Sequence, residues 1–318
     1  MNHSTTPALF ATRAQGKLLL TGEYFVLDGA LALALPVRYG QALRVEAASQ
    51  DLHWRSLDDN GSVWLEASFR LPKLEILQAT DSQIAGMLGR ILSACQIQNP
   101  DFLADQPGIL ITTRTDFPRT WGLGTSSTLI AAVALWAKVD PYPVLFSTFG
   151  GSGYDLACAY AQGPIFYQLK DGVPSLQPAN FRPAFSDQLY FIYLEKKQDS
   201  RAGIAHYRAQ AAGNRPVIEK ISGLTQALFK AATLPEFESL LLEHEHLVSE
   251  ALGLPRAKEV FFQDYWGEIK SLGAWGGDFV LATSRRSMAE TRNYFNEKGC
   301  RVFIPYRDMT VNPAHPSF

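Results

Sequence analysis

The sequence is organised around Pro118-Arg119-Thr120-Trp121-Gly122-Leu123-Gly124-Thr125-Ser126-Ser127-Thr128. An apolar run at 108–113 comes before this stretch and another at 129–136 follows it, so the pattern predicts a strand, a glycine loop and a helix. Two glycines two positions apart let the backbone approach a bulky anion, and Thr125 or Ser126 can cap the helix. The first N–H groups and the positive dipole end of such a helix favour a bound phosphate.

A tight loop with an ordinary helix cap is the alternative interpretation of a lone Gly-x-Gly pair. Two familiar phosphate motifs are excluded, because the chain has no Gly-x-x-x-x-Gly-Lys-Ser/Thr sequence and Gly122-Leu123-Gly124 lacks the third glycine of a dinucleotide fingerprint. Two other glycine-punctuated stretches carry charged residues, Lys17 with Glu23 in one and Asp155 in the other. Together the three stretches favour a phosphate site.

The bulk properties indicate a globular protein that acts on a small molecule. The 318 residues carry 29 Lys and Arg against 31 Asp and Glu, and no basic block argues for nucleic acid or an anionic membrane as a partner. Three scattered cysteines predict buried thiols rather than disulfides or a metal knuckle. No apolar run approaches the ~20 residues that span a bilayer, so a cytoplasmic location is expected.

Alternating and helical patterns predict a mixed α and β chain with two domains, residues 1–184 and 185–318, joined by a linker at Gly172–Pro183. The expected strands lie at 11–21, 29–37, 41–48, 62–70, 108–113, 164–169, 188–194, 278–283 and 301–305. The expected helices begin at Asp81 or Ser82 and after Gly124, and lie at 216–232, 236–252, 257–272 and, capped by Ser284, up to Gly299. The residues 58–61 are expected to turn the chain between 41–48 and 62–70, and the residues 140–143 to break it.

Pro118-x-x-x-Gly122-Leu123-Gly124-Thr125-Ser126-Ser127 resembles the central motif of the GHMP small-molecule kinases, a superfamily that includes galactokinase, homoserine kinase, mevalonate kinase and phosphomevalonate kinase. Gly16-Lys17-Leu18-Leu19-Leu20-Thr21-Gly22-Glu23-Tyr24-Phe25-Val26-Leu27-Asp28-Gly29 resembles the first motif of that superfamily. Leu272-Gly273-Ala274-Trp275-Gly276-Gly277-Asp278-Phe279 resembles its third motif, with Trp275 and Asp278 where glycines are usual. The resemblance implies an α/β (α+β) fold with an N-terminal ribosomal-protein-S5-like domain and a C-terminal ferredoxin-like domain.

The resemblance also implies a chemistry for particular residues. Asp155 matches the aspartate that orients or deprotonates the acceptor hydroxyl, although its spacing alone favours a helix N-cap or first-turn acid. Lys17, which by itself is either solvated or held by an acid, matches the cation that keeps Asp155 ionised and neutralises the transferring phosphoryl group. The cofactors implied are ATP, cradled by residues 122–127, and Mg²⁺, with Ser126 as the hydroxyl that binds metal or phosphate.

The phosphate acceptor is expected to be mevalonate or 5-phosphomevalonate, in isoprenoid precursor synthesis, and Tyr24 tilts the choice slightly toward phosphomevalonate. The expected substrate-binding residues are Glu23 and Tyr24 in the first motif, Ser152 and Gly153 in the loop before Asp155, Gly276 in the third motif, and Arg201. Glu23 fits a helix-start or salt-bridge role nearly as well. The basic cluster of Lys196, Lys197, Ser200 and Arg201 is either an anion site or a solvated charge run. A monomer or a homodimer is compatible with the sequence.

Departures from the motifs keep other functions open. The stretch before the aspartate loop offers only Asp140 where mevalonate kinases have an acidic magnesium ligand. A catalytically silent metabolite sensor, a kinase for homoserine or a sugar, and an ATP-dependent decarboxylase therefore remain alternatives. Residues 243–246, Glu-His-Glu-His, are interpreted as a solvated helix face rather than a metal site, because helix residues two apart point in different directions.

Overall fold

A computed structural model describes residues 7–196, 200–273 and 275–311. The strands are β1 (Phe10–Thr21), β2 (Ala32–Ala47), β3 (Asp51–Leu57), β4 (Val63–Arg70), β5 (Glu75–Ala79), β6 (Gly108–Thr115), β7 (Ile165–Lys170), β8 (Val173–Pro178), β9 (Leu189–Tyr193), β10 (Ile269–Ser271), β11 (Phe279–Thr283) and β12 (Phe303–Pro305). The helices are α1 (Ser82–Gln98), α2 (Thr125–Ala137), α3 (Pro141–Thr148), α4 (Tyr154–Tyr160), α5 (Ser200–Gln210), α6 (Arg215–Lys230), α7 (Leu234–Leu252), α8 (Ala257–Phe261), α9 (Met288–Glu297) and α10 (Tyr306–Met309).

Contacts divide the chain into two compact units. The first contains the described residues up to 16, residues 39–119 and residues 123–160, and the second contains residues 17–38, 120–122 and those from 161 onward. The strands β1 and β2 therefore contribute residues to both units. This division differs from the linear boundary expected near residue 184, which stays a prediction.

The first unit is a sheet covered by helices α1 to α4. Its strand order is β5-β4-β3-β6-β2, in which β3 and β6 are parallel and the other neighbours antiparallel. Alternate side chains of the sheet, such as Trp54 and Ile111, join helix residues such as Leu92 and Ile130 in one buried core. Asp81 starts α1 as predicted, because its carboxylate accepts the N–H groups of residues 83 and 84.

The second unit contains part of the eight-stranded sheet and one separate four-stranded sheet. In one, β7 lies between β2 and β8 and is antiparallel to both. In the other, the order is β10-β11-β9-β12 and all neighbours are antiparallel. Helices α5 to α8 connect β9 to β10 and α9 connects β11 to β12, which is the ferredoxin-like arrangement that the resemblance implied.

Several local predictions are wrong. The expected linker Gly172–Pro183 contains β8, and the expected helix 257–272 is the short α8 followed by β10. The predicted strands 29–37 and 41–48 form the single strand β2, since Pro36 falls between the segment paired with β7 and the segment paired with β6 and needs no ladder N–H there.

Three further boundaries differ from the sequence prediction. The turn 58–61 joins β4 to β3, a strand that was not predicted. The residues 140–143 begin α3, with Asp140 as the cap and Pro141 in the first turn, where the missing N–H costs nothing. Ser287, and not Ser284, caps α9.

The cysteines Cys95, Cys158 and Cys300 are buried, as predicted. Within residues 7–196, 200–273 and 275–311, no helix has the length and apolarity needed to cross a bilayer.

Candidate active site

The glycine loop opens α2 in the first unit with a backbone that favours glycine. Gly124 is the N-cap residue with φ of 89°, and no side-chain hydrogen bond caps the helix. Thr125 is already helical, so the prediction that Thr125 or Ser126 caps α2 is wrong. The N–H groups of the first turn of a helix have no partner within the helix, and here they are not occupied by a capping side chain.

The hydroxyl groups that follow Gly124 have different surroundings. Ser127 is buried and its Oγ donates to the Gly124 carbonyl oxygen over 2.8 Å. Thr128 is buried and donates to Gln41 Oε1, also over 2.8 Å. Ser126 is exposed. Ser126 is therefore the hydroxyl of this run best placed to meet a ligand, whereas Ser127 can offer only its backbone N–H.

Asp155 lies in the first turn of α4, also in the first unit. The preceding loop contains Gly150, Gly151 and Gly153 at φ of 71°, 99° and 87°, a conformation that a side chain at those positions would strain. The partly exposed Asp155 carboxylate accepts the N–H of Leu156 over 3.1 Å, while Ser152 is buried. This bond lies at the start of α4, where Asp155 is partly exposed.

A tyrosine hydroxyl joins the aspartate helix to the phosphate helix. Tyr160, at the end of α4, donates to the Ala131 carbonyl oxygen in α2. Burial raises the pKa of Tyr160 to about 12, so the hydroxyl remains a donor at neutral pH. The first unit thus holds the two helices that carry Asp155 and Ser126 together.

Lys17 lies on β1 in the second unit, where Leu18, Leu19 and Leu20 follow it into the core. Its Nζ donates to the carbonyl oxygen of Gly122 over 2.9 Å. The cation of the first motif is therefore anchored to the first glycine of the central motif, although 105 positions of sequence separate them.

A carboxylate also lies against Gly122. A Cβ built on Gly122 would come within 2.3 Å of Asp278 Oδ2, so only glycine fits beside this side chain. Asp278 has φ of 53° and is held by backbone bonds, its N–H donating to Lys196 and its carbonyl accepting from Leu194, each over 2.8 Å. The third motif thus presents a buried acidic side chain, and not a bare backbone, to the glycine loop.

Tyr24 joins the first motif to the third. Its hydroxyl accepts the N–H of Trp275 over 2.9 Å, and its ring stacks on Tyr207 at 5.9 Å. A Cβ on Gly203 would come within 2.5 Å of the hydroxyl, so α5 passes closely over it. Burial raises the pKa of Tyr24, and the assigned substrate contact stays a prediction.

Glu23 is buried in a group of charged residues that the sequence did not reveal. Its Oε1 accepts from Lys270 Nζ, which also lies 3.2 Å from Glu245 Oε1. His244 Nε2 accepts the N–H of Gly22 over 3.2 Å and lies 3.6 Å from Glu23 Oε2. Burial raises the pKa of Glu23 to about 7 even though Lys270 opposes the rise, while burial and Lys270 lower the pKa of His244. This geometry does not support direct contact between Glu23 and a substrate.

The interpretation of residues 243–246 as a solvated helix face is therefore wrong for two of them. His244 and Glu245 are buried, while Glu243 and His246 are exposed. A signal was available, because Leu241, Val248 and Leu252 form an apolar stripe of helical period that passes through 244 and 245.

Of the remaining predicted residues, Arg201 is exposed on α5 and Gly276 has φ of 85°. Lys196 lies over the Phe261 ring at 4.1 Å, and Lys197 falls outside the described residues. The described part of the chain contains no group of three or more His, Cys, Asp or Glu side chains arranged to hold a metal ion. Asp140 caps α3 by accepting the N–H of Tyr142 over 3.0 Å.

No protein-family model matches the sequence, and no curated protein matches it. Solved structures do match its fold. The mevalonate kinase of Methanococcus jannaschii has a TM-score of 0.66 over 93% of this chain and 96% of its own, with 14% sequence identity. The phosphomevalonate kinase of Streptococcus pneumoniae, solved in complex with phosphomevalonate and AMPPNP, has a TM-score of 0.66 over 93% of this chain and 99% of its own, with 18% identity.

The galactokinase of Lactococcus lactis, solved with galactose, has a TM-score of 0.66 over 96% of this chain and 94% of its own, with 12% identity. The chain therefore has the fold of the GHMP kinases, as its three motifs predicted.

Proposed function

We propose, from the GHMP-kinase fold of this chain, that it is an ATP-dependent small-molecule kinase whose acceptor is mevalonate or 5-phosphomevalonate. The observation that carries the proposal is the anchoring of Lys17 to Gly122, since it joins the first-motif cation to the first glycine of the central motif. A kinase must mainly hold the nucleotide phosphates in position and neutralise their negative charge. A glycine loop can do the first, and a lysine beside it can do the second.

In the proposed reaction the first-turn N–H groups of α2 bind phosphate oxygens, and Asp155 accepts the proton of the acceptor hydroxyl. The hydroxyl oxygen then bonds to the γ-phosphorus, and the bond from that phosphorus to the β,γ-bridging oxygen breaks, which releases ADP. Lys17 offsets the negative charge that develops on the phosphoryl oxygens.

The residues present fit Mg²⁺ only in part. Ser126 is exposed at the start of α2, and Mg²⁺ often takes one or two protein ligands together with nucleotide phosphates. Ser126 would hold the ion with those phosphates, and the ion would shield their charge. Asp140 is occupied as a helix cap and is assigned no part in this site.

An ADP-release assay with mevalonate, 5-phosphomevalonate, homoserine, galactose and heptose phosphates tests the proposal. We expect ATP-dependent turnover with one of the two mevalonates. Turnover confined to another acceptor would overturn the substrate assignment, and silence with every acceptor would count against the kinase.

The buried carboxylate at Gly122 favours one second candidate, a metabolite-binding sensor without kinase activity. A negative charge beside the glycine loop opposes the binding of phosphates. Calorimetric titration with ATP and Mg²⁺ separates the two functions. The kinase requires binding to the natural chain, whereas a sensor of another metabolite is indicated if only the Asp278→Gly variant binds the nucleotide.

A further inference from the structure

The charged residues around Lys270 have no role in the reaction proposed above, yet they are completely buried. Lys270, Glu23, Glu245 and His244 each expose 1% of their surface or less. The ammonium group donates to Glu23, lies 3.2 Å from Glu245 and donates to the carbonyl oxygen of Ser271 over 2.6 Å. The three N–H groups of the ammonium are thus matched by three nearby acceptors, on Glu23, Glu245 and Ser271.

These bonds tie the first motif to the strand that enters the third motif. Glu23 directly follows Gly22, whose own N–H donates to His244. Lys270 lies in β10, two residues before the third-motif loop, which we define as residues 272–273 and 275–278. Ser271 donates its N–H and its hydroxyl to Glu245, each over 3.1 Å, so both residues at this end of β10 are fixed.

A second hydrogen bond connects the first motif to a residue further along the third-motif loop. The Tyr24 hydroxyl accepts the N–H of Trp275 over 2.9 Å. The adjacent residues Glu23 and Tyr24 therefore hold the chain both just before the third-motif loop and within it. The same loop ends at Asp278, which lies against Gly122 beside the oxygen that Lys17 binds.

Stability alone is a weak reason to bury such a group, because well-packed apolar residues often stabilise a core equally well or better. Apolar packing does not fix the orientation of one segment relative to another. A charge-assisted hydrogen bond does, because it fixes the donor relative to the acceptor. The loop carries Trp275 and Asp278 where the motif that it resembles has glycines, and the polar connection adjoins this altered loop.

We infer that Lys270 is a positioning residue of the proposed kinase: by joining Glu23 to β10, it holds the third-motif loop in place against the first motif and Gly122. This inference rests on the proposed function for its kinetic consequence. Its structural part, the fixed loop, stands separately.

The test compares the natural chain with the Glu23→Gln/Lys270→Met double variant. Lys270→Met alone would leave two buried carboxylates without their cation and is expected to fold poorly. The double variant removes the bond and replaces Glu23 by an uncharged side chain of the same length, so that only Glu245, which still accepts from Ser271, loses the cation. We expect amide hydrogen exchange in peptides that cover 271–279 to become ~10-fold faster, because the loop opens more easily. Turnover should fall by ~10-fold or more while the ATP affinity stays within about threefold.

Lys258→Met is the matched control, because Lys258 also donates to a glutamate, Glu268, and to the carbonyl oxygen of Gly267, close to β10. This variant should leave loop exchange and turnover unchanged, and Lys270→Arg should restore part of both. A folded double variant with natural exchange at 271–279 would overturn the inference. If the natural chain phosphorylates no acceptor, the proposed function fails, and the exchange comparison still decides whether Lys270 holds the loop.

Discussion

Asp155 is the residue whose chemistry matters most to the proposed reaction. Replacing Asp155 by Asn keeps the shape of the side chain and removes its basicity, so we expect turnover to fall by at least ~100-fold with ATP affinity nearly preserved. Steady-state kinetics and calorimetric titration measure the two quantities. Asp140→Asn serves as the control, since asparagine caps a helix as well as aspartate does and α3 should be unaffected. Natural turnover in Asp155→Asn would remove Asp155 from the mechanism.

Glu23 predicts a pH dependence of stability. Its pKa is raised from 4.5 to about 7 in the folded chain. Because the folded state keeps a proton that the unfolded state releases, the contribution of Glu23 to the free energy of unfolding is largest below pH 4.5 and is lost as the pH rises through 7. A shift of this size corresponds to up to about 3 kcal/mol.

The measurement is the free energy of unfolding of the natural chain minus that of Glu23→Gln, from urea titrations between pH 4.5 and 8. His244 acts in the opposite sense, since its lowered pKa removes stability as the pH falls below 6.5, and the subtraction cancels most of that contribution. We expect the difference to decline toward high pH. A difference that stays constant would show that Glu23 is ionised in the folded chain throughout this range.

At the scale of elements, the bond between Tyr160 and Ala131 connects α4 to α2. Tyr160→Phe removes only the hydroxyl, so we expect a loss of about 1 kcal/mol of stability. Turnover should fall on the order of 10-fold, because Asp155 lies at the other end of the same short helix. Chemical unfolding and the ADP-release assay measure the two effects.

Tyr294→Phe is the matched control, since this tyrosine donates to Asp264 over 2.7 Å on the surface of the second unit. The control should leave turnover unchanged. Equal turnover in both variants and the natural chain would mean that α4 needs no such tie to α2.

Elements with a strong local signal could be predicted, and those defined by distant contacts could not. Asp81 caps α1 through its own neighbours, and this is visible in the sequence. The helix expected over 257–272 fails because Gly267 lies so close to Thr283 that a Cβ there would come within 1.9 Å of its carbonyl oxygen. That contact belongs to the pairing of β10 with β11, and a helical period cannot show it. Pro141 was interpreted as a breaker although a helix tolerates proline in its first turn.

The same limit applies to the candidate site of the molecule as a whole. The three glycine-punctuated stretches predicted Lys17, the glycine loop and Asp155, because each stretch carries its signal within a few residues. Lys270 is 247 positions from Glu23, and no local pattern joins them. Asp278 was noted only as a departure from a glycine motif, and its contact with Gly122 needed the structure.

The arrangement of the second unit predicts how fragments of the chain behave. Phe25 and Ala30 pack in one core with Tyr207, Ile221 and Val248, so a fragment of residues 1–184 lacks the partners of its own buried side chains. The fragment keeps the core of the first unit, so we expect it to retain a cooperative thermal transition while amide exchange in residues 17–38 becomes fast. The control is the full chain cleaved once beside Gly172, in the turn between β7 and β8, with both pieces retained. Slow amide exchange at residues 17–38 in the isolated fragment would contradict the contact division.

The two strands at the ends of the eight-stranded sheet, β5 and β8, differ in a way that matters for solubility. Pro174 and Pro178 in β8 have no backbone N–H that could donate to a further strand. Prolines in an edge strand therefore disfavour self-association of a sheet. The strand β5 has no proline and exposes Ile76 and Leu77, which are 44% and 42% accessible. If the protein precipitates at high concentration, we expect molecules to associate first through β5. Ile76→Lys should reduce that association.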